Sequence, residues 1–260
     1  MLGIVAGTGF YDWALLQDQK EQICSTPYGD AVLYTGIFVG NKKKIPVVFL
    51  PRHQKNHSIP PHLINYRANL FALYQLGVTR LVAINAVGSL LATIKPGEIV
   101  LIDDCIDFTW GRQHTFFTGG EAGVKHIDMT HCYCLDWQKQ IMIAAETADV
   151  PLIQNGIYVA TQGPRFETRA EVQMFARLGG TVVGMTGMPE ASLACELGIC
   201  YGSLSMVTNY ACGIGKPLAE ADIGAVMREN TKKLEQILAV LAENFTEERC
   251  CQCGQDSMFL

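Results

Sequence analysis

The residues best suited to bind an anion follow two short apolar segments near the start of the chain. The run Leu2–Ala6 leads into G-T-G at 7–9, where backbone N–H groups and one hydroxyl can face an anion at a strand end. The apolar run 44–50 leads into P-R-H at 51–53, where a guanidinium can match two phosphate oxygens and an imidazole can add a donor. The G-T-G turn has neither dinucleotide-binding nor P-loop spacing, so taken alone it is equally consistent with a turn that binds nothing.

A longer segment, 183–209, carries more polar side chains at predicted strand ends. An apolar run ends in G-M-T-G-M-P-E, a helix follows over 191–197, and the buried strand after it stops at Asn209. In an open α/β sheet, ligands bind beyond the carboxyl ends of the strands. We therefore expect Met185, Thr186 and Asn209 to share one rim of the sheet.

The surrounding pattern of strands and helices predicts an α/β fold. Asn85 and Ala86 end a continuous apolar strand of the buried parallel type. Glu167 precedes a predicted helix, and spacing alone favours a first-turn acid that complements the helix dipole. The predicted strands cover 2–6, 31–39, 44–50, 78–85, 99–102, 155–160 and 199–208, and the predicted helices cover 63–76, 138–148, 168–178, 191–197 and 219–245.

Composition limits the class of protein. The chain has 260 residues, 49% of them hydrophobic and 17% charged, which suits one domain with a large core. A net charge of −5 and a pI near 5.7 argue against the basic face that nucleic-acid binding needs. The start of the chain lacks a signal-sequence pattern, and no apolar run reaches the ~18 residues that span a bilayer. We therefore expect a cytoplasmic protein with no membrane partner.

Three histidines lie close together in sequence, at His53, His57 and His62. Pro60 and Pro61 interrupt any helix there, so a helical pair of metal ligands cannot form. Because no carboxylate or cysteine stands nearby in sequence, we expect no metal site at these histidines.

The chain has ten cysteines, most of them in apolar segments, which suits buried and reduced thiols. Two C-x-C pairs stand out, Cys132 with Cys134 and, in a polar tail, Cys251 with Cys253. A C-x-C pair can be a redox or metal-binding element, but the four-ligand spacing of a zinc site is absent. We therefore expect residues 247–260 to form a flexible tail with reduced thiols.

Six strand-end motifs occur in one order: G-T-G, P-R-H, N-A-V-G-S, Q-G-P-R-F-E-T-R-A-E, G-M-T-G-M-P-E and T-N. In this order they resemble the trimeric purine nucleoside phosphorylases, in the branch that contains methylthioadenosine phosphorylases. The run G-M-T-G-M-P-E-A is also similar to bacterial S-methyl-5′-thioinosine phosphorylases. The resemblance implies a single α/β domain over 1–246 with a twisted mixed sheet flanked by helices, a homotrimer, and no metal or organic cofactor. Some thermophilic relatives carry C-terminal C-x-C disulfides.

The chemistry implied by this resemblance is phosphorolysis, in which phosphate attacks C1′ of a purine nucleoside and the base leaves. A bound phosphate dianion stabilises the oxocarbenium-like transition state and is already placed for attack. The implied phosphate site comprises Thr8, Arg52, His53, Asn85, Ala86 and Thr186. The implied substrate-binding residues include Phe166 against the purine, Met185 under the ribose, Tyr210 and Ala211, and the implied catalytic residues are Asn209, Glu167 and His53.

Two of these positions indicate which base leaves. In adenosine-type relatives, an Asp stands at the position of Asn209 and a small hydroxyl residue at that of Glu167. Here Glu167 can accept from the N1–H of a 6-oxopurine, and the Asn209 amide can donate to O6 or N7, whereas an ionised Asp only accepts. The pair therefore predicts hypoxanthine or guanine as the leaving base.

The side of the site that faces the 5′ group of the ribose is predicted to be apolar. Classical inosine phosphorylases use a histidine near this point, but no histidine follows His131. The C-terminal helix offers Ile223 and Val226, which favour a 5′-methylthio group over a hydroxyl. His126 matches a family position at the trimer contact, so a neighbouring subunit is expected to supply it.

S-methyl-5′-thioinosine is therefore the expected substrate, with inorganic phosphate as co-substrate. A broader inosine and guanosine phosphorylase is the first alternative, and a methylthioadenosine phosphorylase is the second. From another class, a hydrolase that uses water or a purine-binding protein remains open. The predicted phosphate ligands argue against these two classes, because neither a hydrolase nor a purine-binding protein needs to bind phosphate.

Overall fold

The computed structural model describes residues 1–7, 16–40, 43–54, 58–215, 221–255 and 257–259, so the predictions for Thr8 and His57 lie outside the described residues. The strands are β1 (Leu2–Ala6), β2 (Leu16–Thr26), β3 (Gly29–Val39), β4 (Lys44–Pro51), β5 (Arg80–Ser89), β6 (Ile99–Phe108), β7 (Lys125–Ile127), β8 (Ile153–Thr161), β9 (Val182–Gly184), β10 (Cys200–Tyr210) and β11 (Ser257–Phe259). The helices are α1 (Tyr66–Gln75), α2 (Leu135–Thr147), α3 (Arg169–Arg177), α4 (Gly187–Glu196) and α5 (Ile223–Glu243).

Nine of the described strands form one mixed sheet in the order β10-β6-β8-β9-β5-β1-β4-β3-β2. Strand β10 pairs with β5 as well as with β6, so β5, β10, β6, β8 and β9 close into a ring. Strands β1, β4, β5 and β10 run parallel, and their carboxyl ends therefore meet at one edge. The predicted α/β fold, a mixed sheet flanked by helices, is confirmed.

Side chains of the buried strands alternate between two hydrophobic cores, one on each face of the sheet. In β1, Leu2 and Ile4 enter one core and Val5 enters the other, as the two-residue period of a strand requires. Helices α1 and α4 contribute to the core that holds Val5, and α2 and α5 contribute to the core that holds Leu2. From α2, the fully buried Trp137 donates its indole N–H to the Leu81 carbonyl at 3.0 Å, which ties the helix to β5.

The structure differs from the sequence prediction at β2 and α4. Strand β2 was not predicted, because ten of its eleven residues are at least partly exposed and lack the alternation of a half-buried strand. Helix α4 begins at Gly187, but Met188 and Pro189 have non-helical backbone angles, so its regular part begins close to the predicted position. Among the described residues, no helix combines the length and apolar character needed to cross a membrane.

The C-terminal segment, for which a flexible tail was predicted, packs against the rest of the chain in its described part. Arg80 donates to backbone carbonyls of residues 246 and 248, and Arg249 donates to the Gly198 carbonyl at 2.8 Å. Gly254 lies so close to Gly198 that a Cβ on Gly198 would stand 3.1 Å from its Cα. Strand β11 then pairs with β7 in antiparallel fashion. The amino-acid composition of the tail could not predict these contacts, because the residues that the tail contacts are distant in sequence.

Candidate active site

A cavity of about 470 Å³ opens at the edge where β1, β4, β5 and β10 end. Ten of the residues predicted from the sequence line it: Arg52, His53, Ala86, Phe166, Glu167, Met185, Thr186, Asn209, Ala211 and Ile223. The residues come from the ends of several parallel strands, which is where ligands bind in open α/β sheets, so the cavity is the candidate site.

Arg52 is held by a carboxylate that the sequence analysis did not single out. Its Nε and Nη2 atoms donate to the two carboxylate oxygens of Glu190 at 2.9 and 2.7 Å, and Nη1 donates to the Ile84 carbonyl at 2.7 Å. The hydroxyl of Tyr201 donates to the same carboxylate at 2.8 Å. Burial lowers the pKa of the Arg52 guanidinium, but the adjoining Glu190 carboxylate outweighs this effect, so the pKa is raised and the charge is secure.

This ion pair changes how Arg52 can meet an anion. The P-R-H motif predicts a guanidinium that binds two phosphate oxygens, but Glu190 occupies the Nε/Nη2 edge of Arg52. Among the described residues, three of the five guanidinium N–H donors are used, which leaves one each on Nη1 and Nη2. A Cβ on Gly7 would lie 3.4 Å from Nη1, so this end of Arg52 lies against the end of β1.

His53 lies beside Arg52 with a fixed ring orientation. Its Nδ1 stands 2.8 Å from the Ile59 carbonyl oxygen, which can only accept, so Nδ1 carries a proton. In the neutral ring Nε2 is then an acceptor, and it lies 3.5 Å from where a Cβ on Gly7 would stand. The ring therefore lies against the end of β1 with its orientation set by the Ile59 carbonyl.

Asn85 does not line the cavity but orients a residue that does. It is buried, its Nδ2 donates to the Ser203 hydroxyl at 2.8 Å, and its Oδ1 accepts from the Thr186 hydroxyl at 3.0 Å. The Tyr158 hydroxyl accepts from the Thr186 N–H at 3.2 Å. The structure therefore places Asn85 behind Thr186, and a direct contact between Asn85 and phosphate is not supported.

Glu167 faces the cavity and does not cap a helix, so the interpretation favoured by its spacing is wrong. The N-terminal cap of α3 is Thr168, whose side chain and that of Glu171 form a capping box. Glu167 is 7% exposed, and its Oε1 accepts from the Thr161 hydroxyl at 2.8 Å. Glu171 is the acid that complements the helix, and Arg165 and the Thr168 N–H lower its pKa to about 2.

Asn209 stands at the end of β10 with its amide orientation set by two neighbours. Its Oδ1 accepts from the Thr208 hydroxyl at 2.7 Å, and its Nδ2 donates to the Tyr210 carbonyl at 2.9 Å. One N–H of the amide remains after these contacts. A Cβ on Gly88 would come within 3.3 Å of Nδ2, so the absence of a side chain at Gly88 leaves room for the Asn209 amide.

Arg112 is a further residue of the site that the sequence analysis left unassigned. Its guanidinium donates to the carbonyls of Met185 at 2.9 Å and of Gln162 at 2.8 Å, and also to Met188 and Thr161. It therefore fixes the loop after β8 against the loop after β9. These loops carry Phe166, which is 53% exposed, and Met185, which both line the cavity.

Three predicted substrate-binding residues lie outside the lining of the cavity. Tyr210 packs its ring against Gly215, and His126 lies in β7, paired with β11. Val226 does not line the cavity, whereas Met227 does. Ile223 also lines it, and residues four apart on a helix share a face. The role of His126 in a neighbouring subunit stays a prediction.

Comparison with known proteins gives relatives along nearly the whole chain. The model of the phosphorylase superfamily matches residues 1–243. The chain is 43% identical to a 6-oxopurine nucleoside phosphorylase of Pyrococcus furiosus, covering 97% of this chain and 96% of that protein. It is 39% identical to an S-methyl-5′-thioadenosine phosphorylase of Thermofilum pendens, covering 98% and 95%. A solved methylthioadenosine phosphorylase from Schistosoma mansoni in complex with adenine superposes with a TM-score of 0.85 at 33% identity, covering 93% and 90%.

Proposed function

The chain belongs to the phosphorylase superfamily, as the order of its strand-end motifs predicted, and we propose that it catalyses phosphorolysis of 6-oxopurine nucleosides. The observation that carries this proposal is the presence of Glu167 and Asn209 at one cavity, each held by a neighbouring hydroxyl. The similarity to the 6-oxopurine nucleoside phosphorylase of Pyrococcus furiosus supports the same reaction.

The choice of base follows from which atoms donate and which accept. A carboxylate is acceptor-only, so Glu167 binds the N1–H of hypoxanthine or guanine and repels the N1 lone pair of adenine. The remaining N–H of Asn209 donates to O6 or N7 of the purine. Negative charge builds on the purine as the glycosidic bond breaks, so a donor at N7 stabilises the transition state more than the ground state. The S-methyl-5′-thioadenosine phosphorylases among the relatives are the second candidate, and Glu167 argues against that base.

Inorganic phosphate is proposed as the co-substrate, without an organic cofactor. It would lie between the Nη1 end of Arg52, His53 and Thr186, with the small side chain of Ala86 in β5 allowing it a close approach. The Thr186 hydroxyl turns from Asn85 to the phosphate, and the His53 ring lies beside the phosphate with its orientation set by the Ile59 carbonyl. An oxygen of the hydrogenphosphate forms a bond to C1′, the C1′–N9 bond breaks, and its electron pair moves into the purine, which takes up the proton that the hydrogenphosphate carried.

The 5′ side of the cavity supports S-methyl-5′-thioinosine as the preferred substrate. Ile223 and Met227 project from one face of α5 into the lining and offer no hydrogen-bond donor to a 5′-hydroxyl. A buried hydroxyl without a partner costs about 1–3 kcal/mol, whereas a methylthio group gains apolar contact. Inosine and guanosine are the alternative substrates.

The test is a comparison of four nucleosides, each with and without inorganic phosphate. We expect kcat/KM to be highest for methylthioinosine, lower for inosine and guanosine, and lowest for methylthioadenosine. Base release without phosphate would point to a hydrolase and contradict the proposed reaction. A preference for methylthioadenosine would contradict the role of Glu167, and a preference for inosine over methylthioinosine would contradict only the apolar 5′ side.

We also propose that the protein is a homotrimer and that it is cytoplasmic. In the homotrimer, His126 of each chain reaches the site of a neighbour, which would explain why this residue does not line the cavity of its own chain. Light scattering after size-exclusion chromatography should give three times the mass of the chain. A monomer with full activity would contradict a shared site.

A further inference from the structure

Four cysteine sulfurs meet at the end of β10 opposite to the cavity. Cys134, Cys200, Cys251 and Cys253 place their Sγ atoms within 4.8 Å of one another, and Cys200 Sγ lies 3.3 Å from Cys251 Sγ. Cys134 and Cys200 are buried, and the other two are half-buried. All ten cysteines lie within the described residues, and none is bonded to another. We call these four residues the four-cysteine cluster.

Three separate segments build the four-cysteine cluster. Cys134 stands directly before α2, where the positive end of the helix dipole favours a thiolate. Cys200 begins β10, and a backbone hydrogen bond of 2.9 Å from Cys134 to Tyr201 joins these two segments. The tail supplies the C-x-C pair, whose following residue, Gly254, contacts the turn at Gly198.

The geometry points to a metal site in which the four-cysteine cluster binds one thiophilic divalent ion, with zinc as the ion that fits best. Zinc bound by four thiolates is tetrahedral with Zn–S distances of about 2.3 Å, which places the sulfurs about 3.8 Å apart. The one 3.3 Å contact and the 4.8 Å upper limit on all the separations are compatible with that value. Thiolates are the soft ligands that select such ions, and a cage closed by four of them leaves no open position for catalysis.

The local charge also suits this site. Four thiols lose up to four protons when they bind a divalent ion, so the loaded site carries about −2. The guanidinium of Arg249 lies beside it, with Nη1 at 4.0 Å from Cys200 Sγ and 2.8 Å from the Gly198 carbonyl. A cation at this distance offsets the charge that the thiolates add.

The ion would join the C-terminal segment to the body of the fold. Two of its ligands lie in the tail and two lie where β10 and α2 begin, so binding closes a loop of more than a hundred residues. Cys200 and Asn209 stand at opposite ends of β10, about 30 Å apart at the usual rise of a strand. The site is therefore structural, and it is independent of the proposed phosphorolysis.

The experiment uses the untagged full-length chain, purified without reductant. Its metal content is measured by mass spectrometry before and after incubation with zinc and desalting, and its free thiols are counted after denaturation with a chelator. The test variant is Cys251→Ser with Cys253→Ser. The matched control is Cys250→Ser, because Cys250 is the exposed neighbour of the cluster and not a member of it.

We expect about one ion per chain, all ten thiols free, and less than about a tenth of an ion in the double variant. The Cys250→Ser variant should keep the full content. Cobalt(II) bound to the wild type should show thiolate-to-metal charge transfer, which does not depend on how well the double variant folds. The chelator should lower the melting temperature of the wild type, since an ion that binds only the native state stabilises it.

Three results would overturn the site. A metal-free chain that shows about six free thiols of its ten would mean that the four cysteines form two disulfides instead. Ten free thiols with no ion retained after zinc incubation would mean that the cysteines are only packed together. An ion content that survives the double substitution would place the metal elsewhere.

Discussion

The exchange of Glu167 for glutamine isolates the group that is proposed to select the base. Glutamine has the same shape, and its amide oxygen can still accept from the Thr161 hydroxyl that now bonds Oε1 at 2.8 Å. The amide nitrogen replaces the other carboxylate oxygen. A donor then faces the purine N1, where the wild type presents an acceptor.

The size of the effect follows from two changes at one atom. The lost hydrogen bond to a charged acceptor is worth about 1.5–3 kcal/mol, and a buried donor that faces another donor costs about 1–3 kcal/mol. Taking about 3–4 kcal/mol for both, kcat/KM for methylthioinosine and inosine should fall about 10²- to 10³-fold, at about 1.4 kcal/mol for each factor of ten. For methylthioadenosine kcat/KM should rise, because the new donor matches its N1 lone pair.

The assay compares kcat/KM for methylthioinosine and methylthioadenosine in the wild type, Glu167→Gln and Glu171→Gln. Glu171 is the matched control, since it lies four residues away in the capping box of α3 and outside the cavity lining. Its substitution should leave the ratio of the two substrates unchanged. The melting temperature of Glu167→Gln should stay within about 2 °C of the wild type, because the bond to Thr161 remains. An unchanged substrate ratio in Glu167→Gln, or an equal change in Glu171→Gln, would refute the reasoning.

Three further predictions test the pocket and the fold. Glu190→Gln should destabilise the protein by about 3–5 kcal/mol, measured by urea unfolding, because it leaves the buried Arg52 charge without its partner; a loss below about 1 kcal/mol would contradict the ion pair. Met227→His should raise kcat/KM for inosine relative to methylthioinosine by supplying a donor to the 5′-hydroxyl, whereas Val226→His should not, and equal effects would contradict the assigned face of α5. The folded-state pKa of Glu171 is lowered to about 2, so its stabilising contribution is present above the ordinary value of 4.5 and is lost as pH falls toward 2. The difference in unfolding free energy between wild type and Glu171→Gln should therefore shrink over that range, and a difference independent of pH would contradict the assignment.

Several elements of the site could be predicted because a local pattern determines them. Continuous apolar runs identified β1, β5 and β10, and the rule that ligands bind at the carboxyl ends of strands placed Thr186 and Asn209 at one rim. Other contacts could not be predicted, because their partners are far apart in sequence. Glu190 is 138 residues from Arg52, and the pairing decides which donors of Arg52 remain for phosphate.

Glu167 and Glu171 show the same limit over a shorter distance. Both precede or begin α3, and spacing alone favoured the helix-capping role for Glu167. The register of the first turn gives that role to Glu171 and turns Glu167 toward the Thr161 hydroxyl and the cavity. Glu167 precedes the cap Thr168, so the loop after β8 and not a face of α3 sets the direction of its side chain.

The sequence by itself determined the fold class, the family and the edge of the sheet where the cavity opens, because hydrophobic periodicity and motif order can be read along the chain without knowledge of contacts. Only the tertiary structure decided that Arg52 is clamped by Glu190 and that Met227, not Val226, lines the cavity. It also decided that the tail docks and brings four cysteine sulfurs within 4.8 Å of one another. These contacts join segments that only folding brings together, so no spacing along the chain records them.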